Sequence, residues 1–333
     1  MNLPPWLRLL LWPVSVLYGD LVRLRAWLYA RGTLKPRRLN KPVISVGNLT
    51  VGGTGKTPMV IWLAERLLDE GKRVGILTRG YKGSGGTSDE IELIKFRLQE
   101  RVLFGVGADR YAQGLQLEKS GTDVFLLDDG FQHLQLARDV NILLLDATKA
   151  LGGEFLLPAG RLREPVSAMQ RADLLVITRA ETSAAAQAAI AQLQKYPVFS
   201  AATRLVGFRR LGAGIQTLAL EEVGPGPFYA FCGIGNPRAF FLDLQNWGLS
   251  LIQTAEFPDH HRYDARDALE LETAARAGGA KVLVTTEKDA QNLAGVQFNE
   301  LPVFIAVIEF EIPQQEALLA AIHAALETRS AAA

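Results

Sequence analysis

From residue 42 onward, short aliphatic runs alternate with longer polar stretches whose apolar positions recur at helical spacing. Pro42–Val46 predicts a strand, the glycine-rich stretch after it a turn, and about Lys56 to Leu68 a helix. In that helix Val60, Leu63, Leu67 and Leu68 share a face, and Pro58 sits in the first turn, where its missing N–H costs little. "RVGILT" (Arg73–Thr78), "DVFLL" (Asp123–Leu127), "NILLL" (Asn141–Leu145) and "DLLVIT" (Asp173–Thr178) are aliphatic with little polar alternation. Strands buried on both faces of a helix-covered parallel sheet read this way. The first two hundred residues are therefore expected to form a doubly wound parallel α/β unit. "TSAAAQAAIAQLQKY" (Thr182–Tyr196) predicts an alanine-rich helix, and Val198–Leu220 predicts two strands with glycine-rich turns. A second, smaller α/β set begins at Phe228, with strands in "FYAFCGI", "SLIQTAEF", "KVLVTT" and "PVFIAVIEF". The expected divisions are 1–40, 41–197, a β connector over 198–226, and 227–330.

The first thirty residues break this rhythm. "LPPWLRLLLWPVSVLYGDLVRLRAWLYARG" carries Trp6, Trp12 and Trp27 with Tyr18 and Tyr29, ring types that concentrate at the headgroup level of a bilayer. Arg8, Asp20, Arg23 and Arg25 interrupt every run short of 18 uncharged apolar residues, so a spanning helix is not expected. A secretory signal is not expected either, because arginine follows the apolar stretch where a small-residue cleavage site belongs. Charge sharpens the picture. The chain's net charge of +1 hides eight Lys or Arg against a single acid, Asp20, in residues 1–42. A basic, tryptophan-rich amphipathic helix on an acidic body predicts contact with an anionic surface, here a membrane interface rather than nucleic acid. The plainer reading, a helix packed on the protein body, is compatible with it if each face does one job. The single cysteine, Cys232, excludes an intramolecular disulfide and fits a reducing compartment.

Three stretches carry chemistry. "NLTVGGTGKTPM" (Asn48–Met59) joins a strand to a helix and ends in Gly-Lys-Thr. In such a loop, backbone N–H groups freed by Gly52, Gly53 and Gly55 point at phosphate oxygens, and the helix N-terminus adds a positive dipole end. Lys56 is placed to meet the β- and γ-phosphates of a nucleotide, and the Thr57 hydroxyl to meet Mg²⁺. The strict loop pattern wants glycine where this chain has Thr50. Next, "FLLDDGFQH" (Phe125–His133) delivers Asp128 and Asp129 to the end of a strand, where the Mg²⁺-binding acid of a phosphate-loop enzyme sits; Asp-Asp-Gly by itself also suits a plain turn. Third, "FPDHHRY" (Phe257–Tyr263) sets His260 and His261 beside Asp259, an arrangement suited to proton handling and equally to a solvated loop. "TTEKDA" (Thr285–Ala290) has its lysine one position too late for guanine recognition and reads as a strand end capped by polar residues.

Taken together and in order, "NLTVGGTGKTP", Arg79-Gly80-Tyr81, "DDGFQH", "LPAGRLREP" (Leu157–Pro165), "CGIGNP" (Cys232–Pro237), "DHH" and "TTEKDA" resemble the tetraacyldisaccharide 4′-kinase family over nearly the whole chain. That family's loop also lacks the first glycine. The resemblance implies a P-loop NTPase-like fold, ATP and Mg²⁺ as cofactors, and phosphorylation of the 4′-hydroxyl of a tetraacylated glucosamine disaccharide 1-phosphate in lipid A biosynthesis. It implies a peripheral enzyme on the cytoplasmic face of the bacterial inner membrane, with neither nucleic acid nor an obligate protein as partner. By resemblance the nucleotide loop is Thr50, Val51, Gly52, Gly53, Thr54, Gly55, Lys56 and Thr57; Thr57, Asp128 and Asp129 serve the metal, and Asp129 and His260 serve catalysis. Arg79, Arg161 and Arg163 are candidates for substrate phosphates. The family's Gly-Asp-Glu, source of its proposed base, is set against Val106-Gly107-Ala108-Asp109-Arg110, which leaves Asp109 as the candidate base or as the group that orients His260. The competing function is a membrane-associated switch ATPase of the deviant phosphate-loop kind. It is disfavoured by Val51 and Pro58, where such loops carry a lysine and a second threonine. A lipid-binding scaffold with a vestigial site is disfavoured by the intact Lys56, Thr57 and Asp128.

Overall fold

The computed structural model describes residues 4–80, 88–148, 155–179, 193 and 195–330. In chain order the elements are α1 (Pro5–Ala30), β1 (Val43–Asn48), α2 (Lys56–Asp69), β2 (Val74–Thr78), α3 (Asp89–Leu98), β3 (Leu103–Val106), α4 (Arg110–Lys119), β4 (Val124–Asp128), β5 (Val140–Asp146) and β6 (Leu174–Thr178). They continue with β7 (Val198–Arg210), α5 (Leu220–Val223), β8 (Phe228–Cys232), α6 (Pro237–Asn246), β9 (Leu251–Glu256), α7 (Ala265–Ala277), β10 (Val282–Thr286), α8 (Glu287–Asn292), β11 (Val303–Glu311) and α9 (Gln315–Ser330). The alanine-rich helix expected over Thr182–Tyr196 lies almost wholly outside the described residues.

Two compact units result, one of Met1–Gly80, Leu98–Ala202 and Glu311–Ala333, the other of Tyr81–Arg97 and Thr203–Phe310. Their membership is not consecutive, unlike the sequence-based divisions. α3 belongs with the second unit because its charged residues are paired there, Glu90 with Lys288 and Arg97 with Glu287.

In the first unit the strands run β3-β2-β4-β1-β5-β6-β7, each pair parallel. Every residue of β1, β2, β4, β5 and β6 is buried, the physical counterpart of their unbroken aliphatic composition. β3 is short, half-buried and interrupted by Gly105, so its apolar signal is weak. The chain leaves β1 toward β2 on one side and later returns to β5 on the other. Ligands of open α/β sheets bind at the carboxyl ends of strands at such a reversal. The register brings Asp128 at the end of β4 level with Val46 in β1, two residues before that strand ends.

α1 packs by its smallest residues. Ser15 and Gly19 are its buried positions. The Ser15 hydroxyl donates to Leu156 O at 2.9 Å and accepts from Ala159 N at 2.9 Å, while the Tyr18 hydroxyl donates to Arg163 O at 2.8 Å. A Cβ on Gly19 would lie 2.6 Å from the Leu156 side chain, so a larger residue here would have to displace that side chain. The remaining surface of α1 is open and largely apolar, with Asp20, Arg23 and Arg25 also exposed. Among the described residues, more than half of the exposed large apolar side chains sit on this helix, with Leu9, Leu10 and Trp6 the most exposed of those on it. No described helix is long and apolar enough to cross a membrane.

In the second unit β11, β10, β8 and β9 form a parallel array in that order. Alternate residues of β8 face opposite cores: Phe228, Ala230 and Cys232 pack with Phe240 and Leu244, Tyr229 and Phe231 with Tyr263 and Leu271. Burial pushes the Cys232 thiol far up, so the lone cysteine is a core residue. Val198–Leu220 does not form two full strands. β7 runs unbroken through Arg210 because nothing before Gly207 interrupts its β-compatible sequence, and the expected second strand shrinks to a bridge between Phe208 and Leu218.

Candidate active site

The glycine-rich loop leaves β1 and turns into α2 through Gly55, whose φ of 85° is a left-handed conformation that favours glycine. Gly52, with φ of 100°, has the same requirement. A Cβ built on Gly53 would meet nothing within 4 Å, so the loop is open at that point. Inside, the Asn48 amide donates to Thr54 Oγ1 at 2.7 Å and the Thr178 hydroxyl to Thr54 O at 3.4 Å. Outside, "LPAGRLREP" braces the loop through backbone pairing at an isolated bridge. Val51 N donates to Arg161 O at 2.8 Å, Arg163 N donates to Leu49 O at 2.7 Å, and Thr50 bridges Leu162 in antiparallel sense. That bridge explains the absent first glycine: Thr50 is backbone-paired and is not among the residues with positive φ. Arg161 thus serves the loop through its carbonyl, a contact its side-chain charge did not forecast.

Asp128 is buried at the end of β4, where the Thr78 hydroxyl reaches its carboxylate at 3.3 Å. Asp129 follows in a left-handed turn, φ 47°. Gly130 N donates to Val46 O at 3.0 Å, and a Cβ on Gly130 would lie 2.5 Å from Ser45 Oγ, which fixes glycine here. The Asp129 carboxylate meets Arg163 Nη1 at 2.7 and 2.9 Å and Lys56 Nζ at 3.6 Å. Burial pushes its carboxyl up, but Lys56, Arg163 and Arg110 together hold it below the ordinary range. A carboxylate so held stays anionic and is a weak base, which argues for Asp129 as the holder of Lys56 rather than as a base. Arg110, which the sequence reading left out, is buried against the same turn and donates to Asp128 O at 3.4 Å. Its only sequence signal is its place beside Asp109. Burial and the charges of Arg110, Arg138 and Arg25 push the neighbouring His133 imidazole down to about 4, so it is neutral. Arg79 is exposed at the end of β2, with its charge felt by Arg110.

For a nucleotide with Mg²⁺ the donor set fits. The Thr57 hydroxyl and the Asp128 carboxylate are hard oxygen donors beside an open loop, and Mg²⁺ takes one or two such protein ligands along with phosphate and water. Among the described residues no cluster of three or more His, Cys, Asp or Glu could form an all-protein cage.

Asp109 is placed differently from the expectation. It caps α4, accepting from Ala112 N at 3.1 Å, and pairs with Arg37 at 2.6 Å. His260 lies in the second unit, where its Nδ1 is 2.9 Å from both carboxylate oxygens of Asp89. The carboxylate partner of His260 is therefore Asp89. The sequence carried a signal: Ser88-Asp89-Glu90 lies in the same inter-strand segment as the sought Gly-Asp-Glu, with serine in the glycine's place. Asp259, next to His260 in sequence, is farther off, 3.9 Å from Nε2. The Asp89 side chain is 4% exposed and that of His260 52%, so the imidazole is the accessible member of the pair. The hydrogen bond that the imidazole donates to Asp89 raises the His260 imidazole, against burial. Burial pushes the Asp89 carboxyl up, yet His260 and Lys288 bring it below the ordinary range. His261 is structural: it bonds Asp267 at 2.8 Å and stacks on Phe257 at 4.7 Å. Asp129 and His260 are two of the four described non-glycine residues with positive φ, a conformation that costs energy and concentrates at functional sites.

Asparagine caps helices about as well as aspartate, so Asp109→Asn is expected to change kcat by less than roughly fivefold and stability by less than about 1 kcal/mol. Steady-state kinetics and thermal denaturation check this, and a loss near 10²-fold would return Asp109 to the reacting groups.

The fold and loop define an α/β protein of the phosphate-loop nucleotide-binding class. The profile of the family described as tetraacyldisaccharide-1-P 4′-kinase (LpxK) matches residues 7–327, and the chain belongs to that family. The chain is 44% identical over 314 residues to a tetraacyldisaccharide 4′-kinase of Geobacter sulfurreducens, covering 89% of this chain and 87% of the relative. It is 42% identical over 327 residues to that of Geobacter metallireducens, covering 93% and 95%. A crystal structure of LpxK from Aquifex aeolicus, described as an "apo" form in complex with ATP, superposes with a TM-score of 0.74 at 34% identity, covering 96% of this chain and 99% of that one.

Proposed function

We propose that this chain transfers the γ-phosphate of ATP to the 4′-hydroxyl of a tetraacylated glucosamine disaccharide 1-phosphate, a step of lipid A biosynthesis. The observation that carries this reading is the Lys56–Asp129–Arg163 cluster on an intact phosphate loop in a member of this family. Backbone N–H groups of Gly52–Gly55 and the start of α2 receive the phosphates, and Lys56 meets the charge that develops on the transferred group. Asp129 and Arg163 hold Lys56 and the loop in place. Thr57 and Asp128 hold Mg²⁺, which when bound neutralises phosphate charge. Asp89 fixes the His260 tautomer and leaves Nε2 to take the acceptor hydroxyl's proton, the logic of a carboxylate-oriented imidazole base. Incubation with γ-labelled ATP, with and without the acylated disaccharide phosphate, tests the assignment. Transfer that depends on acceptor supports it; hydrolysis indifferent to acceptor selects the switch ATPase.

The outer face of α1 supports a peripheral position on the cytoplasmic leaflet, where ATP and an anionic lipid acceptor are both at hand. Its apolar side chains enter the interface and its arginines meet headgroups. Deleting residues 1–30 is a poor test, because Ser15 and Tyr18 brace the segment that braces the loop. Replacing Trp6, Trp12 and Trp27 together by glutamine removes only exposed rings. Sedimentation with anionic vesicles should fall roughly tenfold or more, and the KM for lipid should rise, with ATP affinity unchanged. Unaltered vesicle binding would refute the membrane role of this face.

A further inference from the structure

"TTEKDA" is the motif that the reading above leaves without a task, and its side chains converge on both halves of the Asp89–His260 pair. Asp289, fully buried, accepts at Oδ1 from Gly233 N at 2.8 Å and from the Tyr263 hydroxyl at 2.9 Å, and at Oδ2 from the Thr286 hydroxyl at 2.6 Å. One carboxylate thereby ties together "CGIGNP", "FPDHHRY" and "TTEKDA". The same Gly233 accepts at its carbonyl from His260 N at 3.0 Å. A Cβ on Gly233 would lie 2.9 Å from Pro258 O and 3.3 Å from Asp289 Oδ1, so glycine is needed for that fit. The left-handed backbone of His260, φ 62°, is held within this net.

The neighbouring side chains of α8 grip α3. Lys288 Nζ bonds Glu90 Oε1 at 2.5 Å, one residue from Asp89. Asn292 reaches Asp89 Oδ2 at 3.5 Å. Glu287 bonds Arg97 Nη1 at 3.0 and 3.1 Å in the last turn of α3. α3 is therefore fastened near both ends by one short helix, which through Asp289 also fastens the His260 loop.

We propose that Thr286–Asp289 is the positioning device of the Asp89–His260 pair, with Asp289 setting the histidine and Lys288 setting the aspartate and biasing the charge of both. This rests on the reading of that pair as the proton acceptor. Neither side chain is needed to touch substrate. Lys288 acts through Glu90 and through its own charge, and Asp289 through Gly233. The charged groups facing His260 are Asp89, Asp259 and Lys288, and Lys288 is the cation among them. Its removal favours the imidazolium, and so moves the acid limb of the kcat–pH profile upward.

The test uses full-length Lys288→Met, which keeps the stem and removes the charge, Lys288→Arg as rescue, and Asp289→Asn. Expected for Lys288→Met are an unchanged KM for ATP, a kcat lower by roughly 10–100-fold, and a His260 titration by NMR moved to higher pH, with partial recovery of kcat and of the titration in Lys288→Arg. A folded Lys288→Met protein with wild-type kcat and wild-type His260 titration overturns the proposal. So does a fall in kcat with the titration unmoved, since that is loss of packing alone. If Asp289→Asn does not fold, Lys288→Met still decides. Near-normal kcat in Asp89→Asn and His260→Ala would sink the base reading instead. The NMR titration of Lys288→Met separates the two failures, because it reads the placement of the pair whatever the pair does.

Discussion

Lys56→Ala should lower the rate of phosphoryl transfer by on the order of 10²-fold or more while leaving a folded protein. The rate falls because the ammonium meets negative charge where it develops, in a site shaped to spare it reorganisation. The fold survives because the loop is held by other means. Thr54 keeps its bonds to Asn48 and Thr178, the Leu157–Pro165 segment keeps its backbone pairing to Leu49 and Val51, and Gly55 keeps the turn into α2. Asp129 would lose Lys56 at 3.6 Å yet retain Arg163 at 2.7 Å, so no buried charge is left unpaired. ATP affinity should weaken less than kcat, because the loop's backbone donors remain. Near-wild-type transfer by a folded Lys56→Ala protein would remove the phosphate-loop assignment.

What the sequence disclosed and what it withheld divide along a physical line. β1, β2, β4, β5 and β6 were legible because strands buried on both faces must be aliphatic throughout. The phosphate loop was legible because its geometry demands particular residues at fixed spacing, with Gly52 and Gly55 in left-handed conformations. Pairings between distant segments were not. Nothing local to "LPAGRLREP" says that its backbone will lie along Thr50, or that Arg163 will bind Asp129. Asp89 and Asp109 are both acids between β2 and β4, and only the tertiary fold carries one to His260 and leaves the other capping α4. Glycine is expected before the family's acid and serine stands before Asp89, so the motif alone does not single out the carboxylate that the fold sets against His260. In α1 the composition announced an amphipathic helix, but its packed face is made of Ser15 and Gly19, residues without a hydrophobic signal.

The Asp89–His260 pair should carry the other large effect. A sugar hydroxyl attacking phosphorus has to release its proton, and a positioned base contributes about 10²–10⁴ in rate. His260→Ala and Asp89→Asn are each expected to lower kcat within that range with little change in ATP affinity. Because Asp89 acts on the imidazole rather than beside it, the double variant should be hardly worse than the worse single one. Two independent contributions would instead multiply. The pH dependence has a defined sign. Asp89 raises the His260 imidazole above its ordinary value, so the proton-free form needed for catalysis appears only at higher pH. The acid limb of kcat should therefore lie above that of an unperturbed histidine in the wild type, and move down in Asp89→Asn as the stabilising carboxylate charge is lost. An acid limb that stays in place in Asp89→Asn, or a double variant whose loss is the product of the single losses, would mean that the two residues do not act as one proton acceptor.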